Sequence, residues 1–478
     1  MAQLTYNQAG YQLVTDLPES MRPWRDRPTR WENVSPSTGA YRLNAAGEYL
    51  YYPDGGSTGF DHPVGQAQFG LGCIASYRTE PDPARRAVFL TRARAQAERL
   101  IDRHVEERDA WWFPYGFPFT HAVHTGVDYD APWYSGMAQG EAISLFVQLA
   151  ELDEVCDADR ARYLSAAAGA LASLTIADDA SPWVVNVNSA GYLWIQEYPG
   201  STPGAGDYTY NGMIFAMFGL WDYYQVTGSQ EAAALYDGCA TTIARYFPLL
   251  RNQRWISYYC QTHRIPTASY HQHHINLFRQ LHWQTGSMDF AEHTDRLVDD
   301  YPAAGVSGTV QFGAGTHTLY RFDTASDGSW ASSRADAVLE SKSVTFSRAT
   351  QAPAPMRRRI QGRGIHYRIS AGAYSGWWVG EAWPNSFLLG EHLTTQYRPA
   401  RTVTFPGGGT SVATYKVAAD GTVTDTKTVS FASPSNAPTD RRAIVNGRPC
   451  FQITAGGLTG YWVPAVSVTV DSAGPAGA

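Results

Sequence analysis

Three blocks of this chain mix side-chain types that a hydrophobic core does not need. They are Trp133-Tyr-Ser-Gly-Met-Ala-Gln-Gly-Glu-Ala-Ile-Ser144, Trp194-Ile-Gln-Glu-Tyr-Pro199 and Tyr270-His-Gln-His-His-Ile-Asn276. They bring carboxylate, phenol, imidazole and indole groups to helix starts and loops. Carboxylates and phenols move protons once their surroundings pull their pKa values toward working pH. Aromatic faces stack on sugars as readily as they fill a core. The mixture points to a catalytic or sugar-binding cleft. Imidazole is also a good zinc ligand. The spacing of His271, His273 and His274 matches no metal site, however, so hydrogen bonding is expected there and no metal. Gln139-Gly140 also reads as a tight helix contact, with glycine admitting a neighbouring helix.

Such residues need rigid supports, and the chain supplies them in pairs. Pro63 suits a first helical turn, and Gln66, Phe69, Leu71 and Ile74 follow at near-helical spacing. Arg85 to Ile101 is rich in Ala, Arg and Leu and reads as a helix. Further helices are expected at 135–152, 158–175, 210–226, 229–247 and 271–284, with a shorter one at 289–298. The loops between them carry Trp, Tyr, Pro and Gly, as in Trp111-Trp-Phe-Pro-Tyr-Gly-Phe-Pro-Phe119. Paired helices with aromatic loops at one end predict an (α/α) toroid over about 56–302, its cleft built from those loops. Residues 1–55 read as an extended or β arm, with short strands near Tyr41 and Tyr49.

From 303 to 478 the chain changes to Val, Thr, Ser and Gly with period-two alternation. Ser341-Lys-Ser-Val-Thr-Phe346 matches Thr426-Lys-Thr-Val-Ser-Phe431. Ile369-Ser-Ala-Gly-Ala-Tyr-Ser-Gly-Trp-Trp-Val379 matches Ile453-Thr-Ala-Gly-Gly-Leu-Thr-Gly-Tyr-Trp-Val463, at an offset of about 84 residues. This predicts two related β modules, about 310–384 and 401–470, and an α+β multidomain chain ending in sandwich-like modules. Trp377, Trp378, Tyr461 and Trp462 admit two readings: exposed sugar-binding faces, or hairpin rings packed inward, the second favoured.

The bulk numbers narrow the function class. At 478 residues, two or three domains are expected. A net charge of -7 argues against a nucleic-acid partner held by phosphate contacts. No apolar run approaches the roughly 20 residues that span a bilayer. The five cysteines form no CxxC pair, which argues against a zinc ribbon and a disulfide framework. Aromatics reach 13%, with 15 Trp and 29 Tyr, a surplus that sugar stacking would explain. The N-terminus lacks a basic region followed by an apolar run. Secretion or cell-surface display with the signal removed is expected, with the cytoplasm as the alternative.

Taken together, the three blocks resemble the C-terminal domain of D-glucuronyl C5-epimerases. So do Asn211-Gly212, Tyr259 with the residues up to Tyr270, and His62-Pro-Val-Gly-Gln-Ala-Gln-Phe-Gly-Leu71. The resemblance spans roughly residues 50–285 and leaves out the β repeats. It implies conversion of D-glucuronate to L-iduronate in heparan-type polysaccharides such as heparosan, with no cofactor. A base removes the C5 proton and an acid on the opposite face returns one, while the site stabilises an enolate-like transition state. By matching position, Glu197, Tyr198, Tyr259 and Tyr270 correspond to the family's functional glutamate and tyrosines. Glu197 and a facing tyrosine, preferably Tyr259 or Tyr270, would make the two transfers. Trp133, Tyr134, Gln139, Glu141, Asn211, His263, Arg264, His271, His274 and Asn276 would contact the substrate.

Two departures bear on this. The family's Tyr-Asp-Leu-Arg-His becomes Tyr259-Cys-Gln-Thr-His263, so Thr262 stands where a carboxylate-binding arginine is usual. The usual Met-Ala-Gln-Gly-Gln becomes Met137-Ala-Gln-Gly-Glu141, adding a second carboxylate. Two carboxylates across a cleft are the apparatus of a glycoside hydrolase. Hydrolysis by Glu197 and Glu141 is therefore the alternative if Glu141 faces the cleft, and it weakens if Glu141 points into the helices. A lyase would share the C5 proton abstraction. A non-catalytic glycan-binding protein is a further alternative, against which Glu197, Tyr259 and Tyr270 stand.

Overall fold

The structure, a computed structural model, describes residues 4–23, 42–53, 56–121, 127–176, 180–202, 204–323 and 337–471. Among these lie eight α-helices and two seven-stranded antiparallel sheets, a mixed α+β architecture. The chain divides into two compact units. One holds the residues up to Leu250 together with Tyr258–Ile265, and the other holds Arg251–Ser257 and the chain from Pro266 onward.

The first unit is built on six helices: α1 (Pro63–Thr79), α2 (Pro83–Arg103), α3 (Gly136–Ala150), α4 (Asp157–Ser173), α5 (Tyr210–Thr227) and α6 (Gln230–Leu250). Their bounds lie within a few residues of those expected, because the capping chemistry is local. Pro63 and Pro83 occupy first-turn positions where no intrahelical N–H partner exists to be lost. His62 Nδ1 accepts from the Gly65 N–H at 2.9 Å, and Asp82 accepts from Ala84 at 2.8 Å. Gly228 ends α5 in the left-handed region at φ 68°, which an L side chain would resist.

α3 is buried along its whole length and is the central helix of this unit. It crosses α5 at glycines. A Cβ on Gly140 would lie 2.2 Å from the Ala216 Cα, and one on Gly219 would lie 2.1 Å from the Gly140 carbonyl oxygen. Three two-stranded hairpins carry the loops: β1 (Val105–Glu107) with β2 (Ala110–Trp112), β3 (Phe119–Thr120) with β4 (Asp128–Tyr129), and β5 (Val185–Val187) with β6 (Leu193–Ile195).

The N-terminal segment runs extended over this unit. Tyr11 N donates to Asp237, and Trp221 Nε1 donates to the Val14 carbonyl. The strands expected near Tyr41 and Tyr49 reduce to single bridges, Leu43 with Tyr49 and Tyr51 with Phe60, too short to form a ladder. Tyr41 itself lies outside the described residues.

The second unit begins with the helices α7 (Ala268–Thr285) and α8 (Met288–Asp300). The strands β7 (Gly305–Phe312), β8 (Gly315–Phe322), β9 (Val338–Phe346), β10 (Thr350–Ile360), β11 (Gly364–Arg368), β12 (Trp378–Gly380) and β13 (Ser386–Leu388) form one sheet. The strands β14 (Glu391–Phe405), β15 (Ser411–Val417), β16 (Val423–Ser430), β17 (Ser435–Val445), β18 (Arg448–Ile453), β19 (Trp462–Pro464) and β20 (Thr469–Val470) form the other. Their spatial orders are β13-β7-β10-β11-β12-β8-β9 and β16-β15-β19-β18-β17-β14-β20. Adding seven to each strand number of the first order gives the second read backwards, so the sequence repeat is a duplicated sheet topology.

The repeated motif forms the same clasp twice. Ile369 N bonds the Trp377 carbonyl and Gly376 N bonds the Ile369 carbonyl, both at 2.8 Å. Ile453 pairs with Tyr461 at 2.9 Å and with Gly460 at 2.8 Å in the same pattern. Trp377, Trp378, Tyr461 and Trp462 are all buried, which corrects the exposed sugar-binding reading of these rings. Trp377 fills a core with Val310, Leu319 and Tyr367, and Tyr461 one with Val403, Phe405 and Phe451, while Trp378 packs with Phe322 and Ile360 and Trp462 with Ala443, Val445 and Cys450. A lysine lies over the ring face in each: Lys342 Nζ is 4.1 Å from the Trp377 centroid and Lys427 Nζ is 4.7 Å from that of Tyr461.

Candidate active site

The first unit carries a cleft of about 640 Å³ whose lining includes Tyr129, Trp133, Tyr134, Trp183, Asp207 and His263. Its walls come from β4, from the residues entering α3, from the loop between β6 and α5, and from the 258–265 segment. The first two sequence blocks are joined by the backbone. Gly136 N donates to the Gln196 carbonyl at 2.8 Å, and a Cβ on Gly136 would lie 2.7 Å from that oxygen, so glycine at the start of α3 permits the approach. Gln196 itself is consumed by structure. It accepts from Tyr208 N at 3.0 Å and donates to Asn186 at 2.8 Å.

Glu197 follows β6 and is buried. Its Oε2 accepts from Asn211 Nδ2 at 3.2 Å, in the first turn of α5. A Cβ on Gly212 would come within 2.3 Å of the same oxygen, so glycine leaves room for the carboxylate. The carboxylate therefore meets a helix N-terminus, where unpaired N–H groups favour negative charge.

Beside it lies an aromatic stack. Phe119 is nearly parallel to Tyr198, with centroids 6.0 Å apart at 16°, and to Trp133, 5.5 Å apart at 21°. Tyr115 stacks on Trp133 at 3.8 Å. His121 sets its ring against Tyr198 at 4.5 Å and lies 5.7 Å from Tyr259, linking two of the expected tyrosines. Burial pushes Tyr129, Tyr115 and Tyr134 up, and for Tyr129 the charge of Asp207 adds to this. These phenols keep their protons at neutral pH.

Asp207 is a functional candidate that the sequence reading missed. It is buried in the cleft wall, accepts from Tyr129 Oη at 3.4 Å, and lies 3.6 Å from His263 Nδ1. A lone aspartate in a Gly- and Pro-rich loop carries no periodic signal. Neither do Phe119 and His121, whose neighbours come from distant segments.

The remaining expected residues divide. Gln139 is buried in the fold: it donates to the Trp111 carbonyl at 2.6 Å and to Ser173 Oγ at 2.7 Å, and accepts from Phe113 N at 3.1 Å. Glu141 is fully buried in α3 and is not among the residues lining this cleft. Glu197, Tyr198 and Tyr259 are likewise not among those lining residues. Arg264 turns outward and lays its guanidinium over Tyr258, 4.7 Å from the centroid.

Tyr270, His271, His274 and Asn276 belong to α7, in the second unit. His271 and His274 do share a helix face, as their spacing required. That face is buried rather than open, which corrects the expectation that they look into a cleft. His271 Nδ1 accepts from Ser257 N at 2.9 Å and Nε2 meets the Leu297 carbonyl at 3.0 Å, while His274 Nδ1 meets Ser257 Oγ at 2.8 Å. Burial holds His271 down to about 4 and pushes His274 below its ordinary value. In both, burial favours the neutral ring, and His274 Nε2 is buried with no hydrogen-bond partner among the described residues. Tyr270 and Asn276 are half-buried, with the Tyr270 ring edge-on to His273 at 5.4 Å.

Among the described residues no group of three His, Cys, Asp or Glu side chains is placed to hold a metal ion, and the five cysteines are unpaired. No helix among them is long and apolar enough to cross a membrane.

Comparison with known proteins agrees with the sequence resemblance. Residues 108–298 match the family model described as D-glucuronyl C5-epimerase C-terminus. The span includes the three chemical blocks, Asn211-Gly212 and Tyr259, and leaves His62–Leu71 before it. Among solved structures, a crystal structure of a candidate autolysin from Listeria monocytogenes shares 14% identity over 35% of this chain, with a TM-score of 0.16. The chain spans 63% of that structure's length, and no fold is assigned from it.

Proposed function

We propose, from the match of residues 108–298 to the C5-epimerase C-terminal family, that this chain is a polysaccharide-modifying enzyme of the uronyl C5-epimerase type. Glu197 would take or return the C5 proton on one face of the sugar, and Tyr198 or Tyr259 would serve the other. The helices α1–α6 would belong to an (α/α) toroid supporting the cleft. The observation that carries the reading is the placement of Glu197, buried against Asn211 and Gly212 with Tyr198 adjacent in sequence. A carboxylate fixed in this way needs little reorganisation during proton transfer. The stacked rings of Phe119, Trp133 and Tyr198 offer apolar faces suited to a sugar ring.

Hydrolysis is the second reading, and Asp207 favours it, because it supplies the cleft with a carboxylate that Glu141 does not. One experiment separates the two: incubation with heparosan in D₂O, followed by NMR and mass spectrometry. Deuterium at C5 with iduronate signals and unchanged chain length establishes epimerisation. New reducing ends without C5 exchange establish hydrolysis and make Glu197 and Asp207 the pair to mutate.

A further inference from the structure

The two sheets of the second unit repeat an arginine-on-tyrosine stack. Trp378 and Trp462 hold matching positions of the repeat, and each lies opposite a tyrosine of the neighbouring strand, Trp378 with Tyr320 and Trp462 with Tyr415. In both copies an arginine follows the glycine of a hairpin turn, as Gly362-Arg363 and Gly447-Arg448. The Arg363 guanidinium lies over the Tyr320 ring, 5.1 Å from its centroid, and that of Arg448 lies 4.6 Å from the Tyr415 centroid. Neither arginine is paired with a carboxylate among the described residues.

In the second copy the stack has a third member. Trp383 is 48% exposed, the one exposed tryptophan among the described residues, and the Arg448 guanidinium lies 4.4 Å from its ring centroid. The fold fixes this contact by locking the turn before Arg448 against the chain that follows Trp383. Asn446 accepts from Gly390 N at 2.8 Å and donates to the Gly421 carbonyl at 2.9 Å, and a Cβ on Gly447 would lie 2.4 Å from that of Phe387. The 382–386 turn also borders a groove of about 460 Å³, lined by Tyr320, Arg363 and Asn385 among others. Ligand pockets commonly measure about 300–1,000 Å³. Among the described residues its lining holds no aspartate or glutamate, in a chain of net charge -7. Glu381, beside the turn, is directed inward and accepts from Tyr367 Oη.

We propose that this groove and the Trp383–Arg448 stack beside it bind a strand of acidic polysaccharide, with Arg363 and Arg448 holding its anionic groups and Trp383 covering a sugar ring. The site shares no residue with the cleft of the first unit. The assignment concerns binding alone and does not depend on the reaction carried out there. Stacking occupies the faces of a guanidinium and leaves its N–H donors in the plane, where a carboxylate accepts them as a fork. The rings already hold both side chains, so less rotamer freedom is lost on binding. The open indole face suits the apolar face of a sugar. A neutral glycan would leave both arginines unanswered, and an acidic peptide would leave the indole uncovered. A polymer reaching both arginines gains from effective concentration, which favours a chain over a single sugar.

The test titrates the full chain with heparosan and follows hydrogen exchange by mass spectrometry, which reads this site apart from the cleft. Carboxyl-reduced heparosan, which is uncharged, and poly-glutamate serve as comparison ligands. Heparosan should slow exchange in residues 361–366, 382–386 and 446–450. The concentration that half-protects these segments should rise about fivefold to tenfold in Arg363→Ala and in Arg448→Ala, the scale of a charge-assisted hydrogen bond. It should rise about threefold in Trp383→Ala. The double arginine variant should lose the protection. Arg363 and Trp383 are exposed, so their variants keep the test decisive even if Arg448→Ala disturbs folding. No protection of these segments in the wild type, protection that survives the double variant, or equal protection by carboxyl-reduced heparosan each overturns the site. Equal protection by poly-glutamate makes it a site for acidic peptides and overturns the polysaccharide assignment.

Discussion

Asn211 donates its side-chain amide to Glu197 at 3.2 Å, so the first turn of α5 holds the carboxylate that the loop after β6 delivers. A glutamine at 197 can accept the same hydrogen bond through its amide oxygen, with the same shape. Glu197→Gln should therefore fold and melt like the parent protein. It should lose about 10²-fold or more in turnover, because an amide neither takes nor gives a proton at working pH. A folded variant with near-normal C5 deuteration removes Glu197 from the chemistry.

Gly140 predicts a stability effect with no chemistry attached. A methyl group there would sit 2.2 Å from the Ala216 Cα, which is backbone and cannot rotate away. Gly140→Ala should therefore separate α3 from α5 and cost about 3 kcal/mol, at the upper end of ordinary overpacking. A surface glycine to alanine change in this unit, measured beside it by urea unfolding, supplies the control. Equal stability of the two variants would contradict the close crossing.

The pH dependence of the second unit has a definite sign. Burial holds His271, His282 and His366 each at about 4, against 6.5 in the unfolded chain. The folded pKa values are depressed. The stabilisation is therefore complete above pH 6.5, falls away as the pH drops toward 4, and changes no further once both states are protonated. Each histidine contributes about 3 kcal/mol at most to the fall. Asp295 and Glu381, raised by burial, oppose the trend in part. The melting temperature of the second unit's transition should decline between pH 6.5 and 4. A flat profile over that window would mean that the imidazoles are protonated in the fold.

Trp377 and Tyr461 occupy matching positions, both buried and both covered by a lysine. Truncating either to alanine empties a core, which usually costs about 3–5 kcal/mol for large aromatics. Lys342→Ala and Lys427→Ala should each cost about 0.5–1 kcal/mol, the scale of an exposed cation–π contact. Calorimetry on the four variants checks both. Loss of glycan affinity in a Trp377→Ala variant that melts normally would restore the surface-binding role that its burial contradicts.

How much could be read in advance depended on how local each cause is. Helix bounds were legible because Pro63, Pro83, Asp82 and Gly228 act within one turn. The β repeat was legible because the Ile369 and Ile453 clasps use the same short pattern. Glu197 was marked by its motif, and its partner Asn211 by position. The wall of the cleft was not legible. Asp207 meets His263 only because the backbone turns left-handed at Tyr208 and Arg264, and nothing in the residues themselves announces that geometry. The orientation of Glu141 was equally hidden. A glutamate in a helix start can face a cleft or the neighbouring helices, and here α3 is enclosed on every side.

The doubled sheet makes this molecule its own reference sample. A substitution in one copy can be repeated at its counterpart seven strands later, in the same chain, solvent and temperature. Backbone chemistry and side-chain type cancel in such a comparison. What survives the subtraction is the influence of surroundings alone, a quantity that two separate proteins seldom isolate.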